Sequence, residues 1–155
     1  MKESEIQAVP VPEIRGKVAA LEKMMLQLPQ QQMEAVHHYA PGLYGKELRI
    51  PAGTLIVGKV HLQGHLNFLM EGCITVFTEQ GMKRLSAPFI LSSEAGMKRV
   101  GVTHTDTTWV TVHAIEGAEL LEPDEVEKVL TVDTMDDYDE LLEYVSKELL
   151  EGGQP

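Results

Sequence analysis

The sequence lacks several features that would mark common classes of protein. Its single cysteine, Cys73, cannot form an internal disulfide. The chain therefore needs no oxidising compartment, and we expect it in the cytoplasm. No apolar run approaches the roughly 20 residues of a membrane span, and the first residues hold no apolar segment of signal-peptide length. We therefore expect a soluble protein that is not exported and does not enter a membrane.

The chain also lacks an excess of basic residues. Its formal net charge is −11, and the acidic excess lies in residues 116–155, which hold fourteen Asp and Glu against two lysines. The first 115 residues are nearly neutral. A neutral body has no basic patch, so the composition gives no support for binding nucleic acid or an anionic membrane.

Familiar catalytic motifs are missing as well. The sequence contains no G-x-S-x-G, no glycine-rich phosphate loop ahead of a lysine, and no cysteine pair that could hold zinc. His61 and His65 have the spacing of a helical zinc-protease motif, but Leu62 stands where that motif has glutamate. The β-branched and apolar segments on either side of this pair favour strands over a helix.

The central part of the chain carries the main structural signal. With 155 residues and 43% hydrophobic content, the chain can bury the core of one domain. Eight short candidate strands follow one another from residue 46 to residue 114, separated by turns rich in glycine and proline: 46–50, 55–61, 65–70, 73–78, 83–85, 89–91, 98–103 and 108–114. Short strands in this number, with no helix between them, predict an all-β sandwich or barrel, such as the double-sheet jelly roll.

Helices are predicted on both sides of this β region. Residues 1–12 read as a loose arm, and apolar residues at helical spacing predict a helix over about 14–28, which Pro29 ends. Near the other end, residues 123–130 could form a short helix, and a longer one is predicted to begin after a cap at Asp133-Thr134 and to run through Leu150. The chain thus divides into an N-terminal arm (1–43), a β-barrel (44–115) and an acidic helical tail (116–155).

The central stretch resembles the cupin superfamily. The first cupin motif is G-x5-H-x-H-x3,4-E-x6-G, and counting back from Gly72 places its glutamate on His65. Its second histidine then falls on His61, and its first histidine falls on Lys59. Of the three metal ligands in the first motif, the sequence therefore keeps one residue type, at His61, and has a second histidine, His65, in place of the glutamate.

The second cupin motif, G-x5-P-x-G-x2-H-x3-N, has a weaker counterpart. Gly96 fits its P-x-G glycine, while Glu94 replaces the proline, Arg99 the histidine and Thr103 the asparagine. The run from residue 39 to residue 113 is also similar to small single-domain cupins found in bacteriophage genomes. The resemblance covers about half of the chain and implies a cupin-like double-stranded β-helix, that is, a jelly-roll barrel.

The resemblance implies a metal site made of three histidines. In the cupin arrangement, the strand that begins at His65 is antiparallel to the last strand, which brings His65 beside His113. Alternate residues of a strand share a face, so Asn67 accompanies His65 and Trp109 accompanies His113. If both faces point inward, His61 converges with the other two histidines. Three imidazoles with open positions suit zinc, iron, manganese or nickel.

A metal-free interpretation stays open. In it, the same histidines act with Lys59 and Arg99 to bind an anionic ligand, because a guanidinium donates to two oxygens of a carboxylate or phosphate at once. The alternative for Arg99 is a surface ion pair with Glu94. Trp109 either packs in the core or forms one wall of a ligand pocket.

Two functional hypotheses result. The first is a metal-binding cupin that acts on a small polar or anionic molecule, with oxygenase or isomerase chemistry implied by the resemblance alone. The second is a non-catalytic cupin-fold protein, a phage structural or host-interaction module, that uses its acidic C-terminal helix as a contact surface. In either case we expect a homodimer, because such barrels commonly bury outer apolar faces, here Leu66, Phe68 and Met70, against a second copy.

Overall fold

The computed structural model describes residues 11–79 and 81–151. Within these ranges the helices are α1 (Val11–Met25), α2 (Pro123–Leu130) and α3 (Met135–Glu151), and a 3-10 helix spans Ala118–Leu120. The strands are β1 (Glu34–Ala40), β2 (Leu43–Ile50), β3 (Leu55–Val57), β4 (Val60–His61), β5 (His65–Glu71), β6 (Cys73–Thr78), β7 (Gly81–Ser86), β8 (Phe89–Ser93), β9 (Val100–Thr103), β10 (Thr107–Ala114) and β11 (Thr131–Val132). None of the helices in the described part of the chain is long and apolar enough to cross a membrane.

The strands form two antiparallel sheets and one small ribbon. The larger sheet has the order β1-β2-β10-β5-β8, the smaller one has the order β3-β9-β6-β7, and β4 pairs with β11 in the ribbon. The predicted all-β fold with two sheets and flanking helices is confirmed. Among the described residues no strand ladder joins the two sheets, which is compatible with the predicted double-sheet jelly roll.

Three segments differ from the sequence prediction. The predicted strand 55–61 is divided into β3 and β4, which belong to different sheets. Residues 34–40, within the predicted N-terminal arm (1–43), are strand β1, and they pair with β2 over seven residues across a tight turn at Gly42. Most residues of β1 are exposed, so this edge strand shows no clear alternation of buried and exposed residues. Helix α1 lies three residues earlier at each end than the predicted range of about 14–28. The predicted loose arm (1–12) falls mostly outside the described residues.

The core consists of two groups of buried side chains. One lies between the sheets and contains Leu69, Ile74, Val76 and Leu85, with Trp109 packed against it. The other contains Tyr44, Ala118, Val126 and Leu130, and it forms where α2 packs against the larger sheet. Burial of aliphatic side chains of this size contributes roughly 1.5–3 kcal/mol each.

Helix α2 is well specified by its sequence and confirms the short helix predicted over 123–130. Pro123 occupies the first turn, where its missing N–H costs nothing, and Glu122 and Glu125 form a reciprocal capping box. Val126, at 0% exposure, and Leu130 lie on the buried face of the helix. Residues 118–132 are therefore packed on the β-sandwich, and α3 follows them in the chain.

Two glycines allow close approaches that no other residue would permit. Gly72, between β5 and β6, has a φ of 93°, and a Cβ there would lie 2.3 Å from the carbonyl oxygen of Asp106. Gly96 has a φ of 81°, and a Cβ there would lie 2.6 Å from the ring of Tyr138. Gly72 thus allows the β5–β6 turn to pass close to the backbone before β10, and Gly96 lets α3 place its tyrosine against the sandwich.

Candidate metal centre

Three strands bring the three predicted histidines together. His61 ends β4, His65 begins β5, and His113 lies near the end of β10. Strands β5 and β10 are antiparallel in the register that pairs Leu66 with Val112, so His65 and His113 meet at one end of the pair. The ring centroids are 4.2 Å apart for His61 and His65, 4.5 Å for His65 and His113, and 5.0 Å for His61 and His113. One nitrogen from each imidazole lies within 4.8 Å of the other two.

The hydrogen bonds of this group leave one buried imidazole nitrogen without a partner. Nδ1 of His65 lies 3.1 Å from the carbonyl oxygen of Gln63 and donates its proton to it. The Nε2 atom of His65 is then a lone-pair acceptor, and it is buried without a hydrogen-bond partner. Metal-binding histidines typically use this arrangement, in which one nitrogen donates to a carbonyl and the other binds the ion. Nδ1 of His61 and Nε2 of His113 lie 2.9 Å apart, and one of them donates to the other.

All three histidines have a lowered pKa. Burial lowers the pKa of His61 to about 3 and that of His113 to about 4, and the neighbouring imidazoles contribute in the same direction. The pKa of His65 is lowered by burial and by the positive charge of Arg99, against the hydrogen bond to Gln63, which raises it. The three imidazoles are therefore neutral near pH 7, in the protonation state that binds a metal.

The donor set fits a divalent transition metal. Zn–N bonds of 2.0–2.1 Å at a tetrahedral angle place ligand nitrogens about 3.3 Å apart, close to the separation of His61 and His113. Within the described ranges the group contains no carboxylate or thiolate. Three neutral imidazoles suit zinc, iron, manganese or nickel, and they leave the charge of the ion uncompensated.

A cavity of about 330 Å³ opens beside the histidines. Its apolar walls include Leu48, Ile56, Ile74, Val76 and Trp109. The four residues that the sequence suggested for ligand binding, Lys59, Asn67, Arg99 and Trp109, all line it. The cavity thus combines an apolar interior with a small number of polar and charged groups, which is typical of small-molecule sites.

Asn67 is the centre of a buried hydrogen-bond network. Its Nδ2 donates to the carbonyl of Leu91 at 3.1 Å and to Oγ of Ser93 at 2.7 Å. Its Oδ1 accepts from Nε1 of Trp109 and from Oγ1 of Thr111, both at 3.3 Å. The side chain is 1% exposed. Since every polar group of Asn67 has a protein partner, its role in this structure is to position the residues of the cavity.

Arg99 is a partly buried cation with no carboxylate partner in the described part of the chain. Its Nη2 donates to Oγ of Ser93, and its Nε is buried with no hydrogen-bond partner. Burial lowers the pKa of Arg99, and no carboxylate offsets this effect. The ion pair with Glu94 that was considered as an alternative is not found in the described part of the chain. A guanidinium remains charged even when buried, so Arg99 places a permanent positive charge in the cavity.

Sequence reasoning missed two further charged residues of the cavity. Lys46 and Glu127 both line it, and Glu127 lies between Lys46, at 3.6 Å, and Lys59, at 3.7 Å. Lys46 could have been found from its position on β2, two residues after the buried Tyr44 and on the same face. No local signal marks Glu127, because only the packing of α2 against the larger sheet brings it to the cavity.

Tyr44 is a further polar residue near the histidines. It pairs with His113 across β2 and β10, and its hydroxyl lies 2.6 Å from Nδ1 of His37. Burial raises the pKa of Tyr44 to about 12. The side chain is therefore a neutral phenol that fixes the orientation of His37 and closes one side of the cavity.

Comparison with known proteins supports the fold. No family model and no curated protein matches the sequence. Ectoine synthase from P. lautus is similar at a TM-score of 0.50 and 14% identity, over 60% of this chain and 72% of that one. KdgF from Halomonas sp. is similar at a TM-score of 0.49 and 13% identity, over 61% of this chain and 94% of that one. A cupin superfamily protein from Desulfitobacterium hafniense is similar at a TM-score of 0.48 and 9% identity, over 57% of this chain and 83% of that one. At such identities the likeness concerns the fold alone. The chain therefore has a cupin-like double-sheet fold, with three histidines gathered at one end of a cavity.

Proposed function

We propose that the protein binds a divalent transition metal through His61, His65 and His113 and holds a small anionic molecule beside it in the same cavity. One observation carries this proposal: three neutral imidazoles converge, one of them with a buried free nitrogen, near a partly buried guanidinium that has no carboxylate partner among the described residues. Zinc, iron, manganese and nickel are all compatible with this donor set.

Electrostatics favours an anionic ligand. The three histidines contribute no charge, so a bound divalent ion would add two positive charges that no carboxylate of the group neutralises. Arg99 adds a third positive charge within the same cavity. An anionic oxygen placed between the histidines and Arg99 would offset the charge of both, and Nε of Arg99 would gain a hydrogen-bond partner.

The walls of the cavity suggest the rest of the ligand. Leu48, Ile56 and Val76 are aliphatic, and Trp109 adds an aromatic surface whose N–H is already bonded to Asn67. A ligand with an anionic end and an apolar body would therefore bury both parts favourably. A bound divalent metal supplies a Lewis acid or a dioxygen site, and oxygenase or isomerase activity is proposed from the cupin resemblance.

Elemental analysis tests the metal site. Protein purified without chelator or histidine tag should contain close to one metal ion per chain, and the content should fall in His61→Ala and in His113→Ala. His104→Ala is the matched control, because His104 is exposed and lies outside the group. A wild-type protein that is free of metal and takes up no added zinc, iron or manganese would contradict the proposal.

A homodimer is proposed from the outer face of the larger sheet. Leu66, Met70 and Ile90 are 46%, 61% and 63% exposed, and Phe68 pairs with Ile90 across β5 and β8. Apolar residues grouped on one sheet face commonly mark an interface. Sedimentation velocity should show a dimer that Leu66→Glu dissociates; a wild-type monomer at micromolar concentration would refute this.

A non-catalytic binding function is the second candidate, and α3 favours it. Apolar residues of its C-terminal part, Leu142, Tyr144, Val145 and Leu149, are exposed among many acidic residues. Deletion of residues 133–155 should abolish binding to such a partner without changing metal content. A phage origin and a cytoplasmic location stay predictions from the sequence.

A further inference from the structure

A cluster of ion pairs lies where the cavity meets solvent. Its members are Lys46, Lys59, Glu127 and Asp133, which we call the mouth cluster. Glu127 lies 3.6 Å from Lys46 and 3.7 Å from Lys59, and Lys59 lies 3.4 Å from Asp133. The side chains of Lys46, Lys59 and Glu127 are about one third to one half exposed, and all three line the cavity.

The backbone of Glu127 is held firmly in position. The preceding residue, Val126, is completely buried, and Leu130 on the same helix is 4% exposed. The capping box stabilises the start of α2, and Thr131 Oγ1 donates to the Glu127 carbonyl at 2.8 Å. The position from which Glu127 reaches the mouth is therefore set by the packing of α2 and not by the contents of the cavity.

The charged residues that line the cavity fall into two groups with different charge balance. In the mouth cluster, two lysines are matched by two carboxylates. Arg99 has no carboxylate partner in the described part of the chain. An anionic group is thus attracted to Arg99, whereas a second anionic group at the mouth would find lysines that are already paired and would face the carboxylate of Glu127.

We infer that Glu127 is a specificity-determining residue, which restricts the cavity to ligands with one anionic end and an uncharged opposite end. This inference rests on the proposed function, since it takes Arg99 as the anchor of the anionic end. The ligand class it specifies is a monocarboxylic acid with an apolar body. Acids with a carboxylate at each end are rejected by the like charge of Glu127, which costs about 1 kcal/mol at 4 Å in water.

Pairs of acids of equal length provide the test. Binding of butanoate, hexanoate and octanoate is compared with binding of succinate, adipate and suberate by isothermal titration calorimetry. The three lengths allow for the span between Arg99 and the mouth. Wild type should bind the best monocarboxylate about fivefold to tenfold more tightly than the dicarboxylate of the same length. Raising the salt concentration should reduce this ratio, because the mouth is partly exposed.

Glu127→Gln keeps the shape of the side chain and removes its charge. The variant should bind the dicarboxylate about fivefold to tenfold more tightly than wild type does, and the monocarboxylate less than about threefold more tightly. Asp124→Asn is the matched control, because it removes the same charge from an exposed position of α2 outside the cavity. Its affinities should stay within about twofold of wild type.

The outcomes separate this inference from the proposed function. If wild type binds both acids of each pair equally, or if Glu127→Gln leaves their ratio unchanged, the role of Glu127 is refuted while anion binding stands. If wild type binds no monocarboxylate of any length, the anionic part of the proposed function fails together with the inference. The metal content, measured independently, still decides the histidine site.

Discussion

Replacing Asn67 with alanine should destabilise the protein strongly without removing any metal ligand. The side chain makes four hydrogen bonds and is almost completely buried. A neutral hydrogen bond contributes about 1 kcal/mol net, and a buried group left without a partner costs about 1–3 kcal/mol. Trp109 and Thr111 line the cavity, where water can replace Asn67 as their partner. The Leu91 carbonyl loses its side-chain donor, while Ser93 Oγ keeps the hydrogen bond from Arg99. With all four bonds to Asn67 lost, we expect a loss of about 3 kcal/mol.

Urea denaturation at pH 7.5 measures this loss directly. For a chain of this size, 3 kcal/mol corresponds to a fall in Tm of about 6–12 °C. Thr111→Val is the matched control, because it removes only one of the four hydrogen bonds and should cost about 1 kcal/mol or less. A loss below about 1 kcal/mol for Asn67→Ala, or equal losses in the two variants, would show that the network does not hold β5, β8 and β10 together.

Three further predictions concern pH, a turn and a helix cap. The folded-state pKa of His61 lies below its ordinary value of 6.5, so its contribution to stability is complete above pH 6.5 and is lost as the pH falls toward about 3. In metal-free protein, the free energy of unfolding should fall less steeply between pH 7 and pH 5 in His61→Gln than in wild type, with slopes that differ by at most about 1.4 kcal/mol per pH unit. Equal slopes in the two proteins would contradict the argument that burial lowers the pKa of His61. Gly72→Ala should cost at least about 2 kcal/mol in urea denaturation because its Cβ would meet backbone, whereas Gly16→Ala, in the interior of α1, should stabilise by about 0.5–1 kcal/mol. Thr134 caps α3, because its hydroxyl oxygen accepts the backbone N–H of Asp137 at 3.1 Å. Thr134→Ala should therefore lower the free energy of unfolding by about 1 kcal/mol and speed amide exchange in the first turn of α3.

Much of the fold follows from local patterns in the sequence. Strands β5, β6 and β10 were predicted to within about one residue, because their apolar residues alternate and glycine or proline marks their turns. Strand β1 was missed because an exposed edge strand carries no such alternation. The pairing of β4 with β11 could not be predicted either, since it depends on hydrogen bonds between segments distant in sequence.

The candidate site was predictable where the strand register decided it. His65 and His113 lie opposite one another because β5 and β10 are antiparallel and their side chains alternate. The surroundings were less predictable. The buried state of Arg99 depends on packing between elements, and Glu127 reaches the cavity only because α2 folds back onto the larger sheet. Tertiary contacts of this kind cannot be recognised from the spacing of residues in the sequence.

The ribbon between β4 and β11 has a consequence for how the histidine site is completed during synthesis. All three histidines precede residue 115, yet the strand partner of His61 is Thr131, and the N–H of Leu62 donates to the carbonyl of Leu130 at 2.8 Å. A nascent chain therefore holds His65 and His113 between strands before the second strand partner of His61 is made, although Gly96 already donates to the His61 carbonyl at 2.8 Å. Local opening of residues 118–132 would loosen His61 more than the other two histidines. The rate at which a metal leaves the site would then report on that opening rather than on unfolding of the sheets.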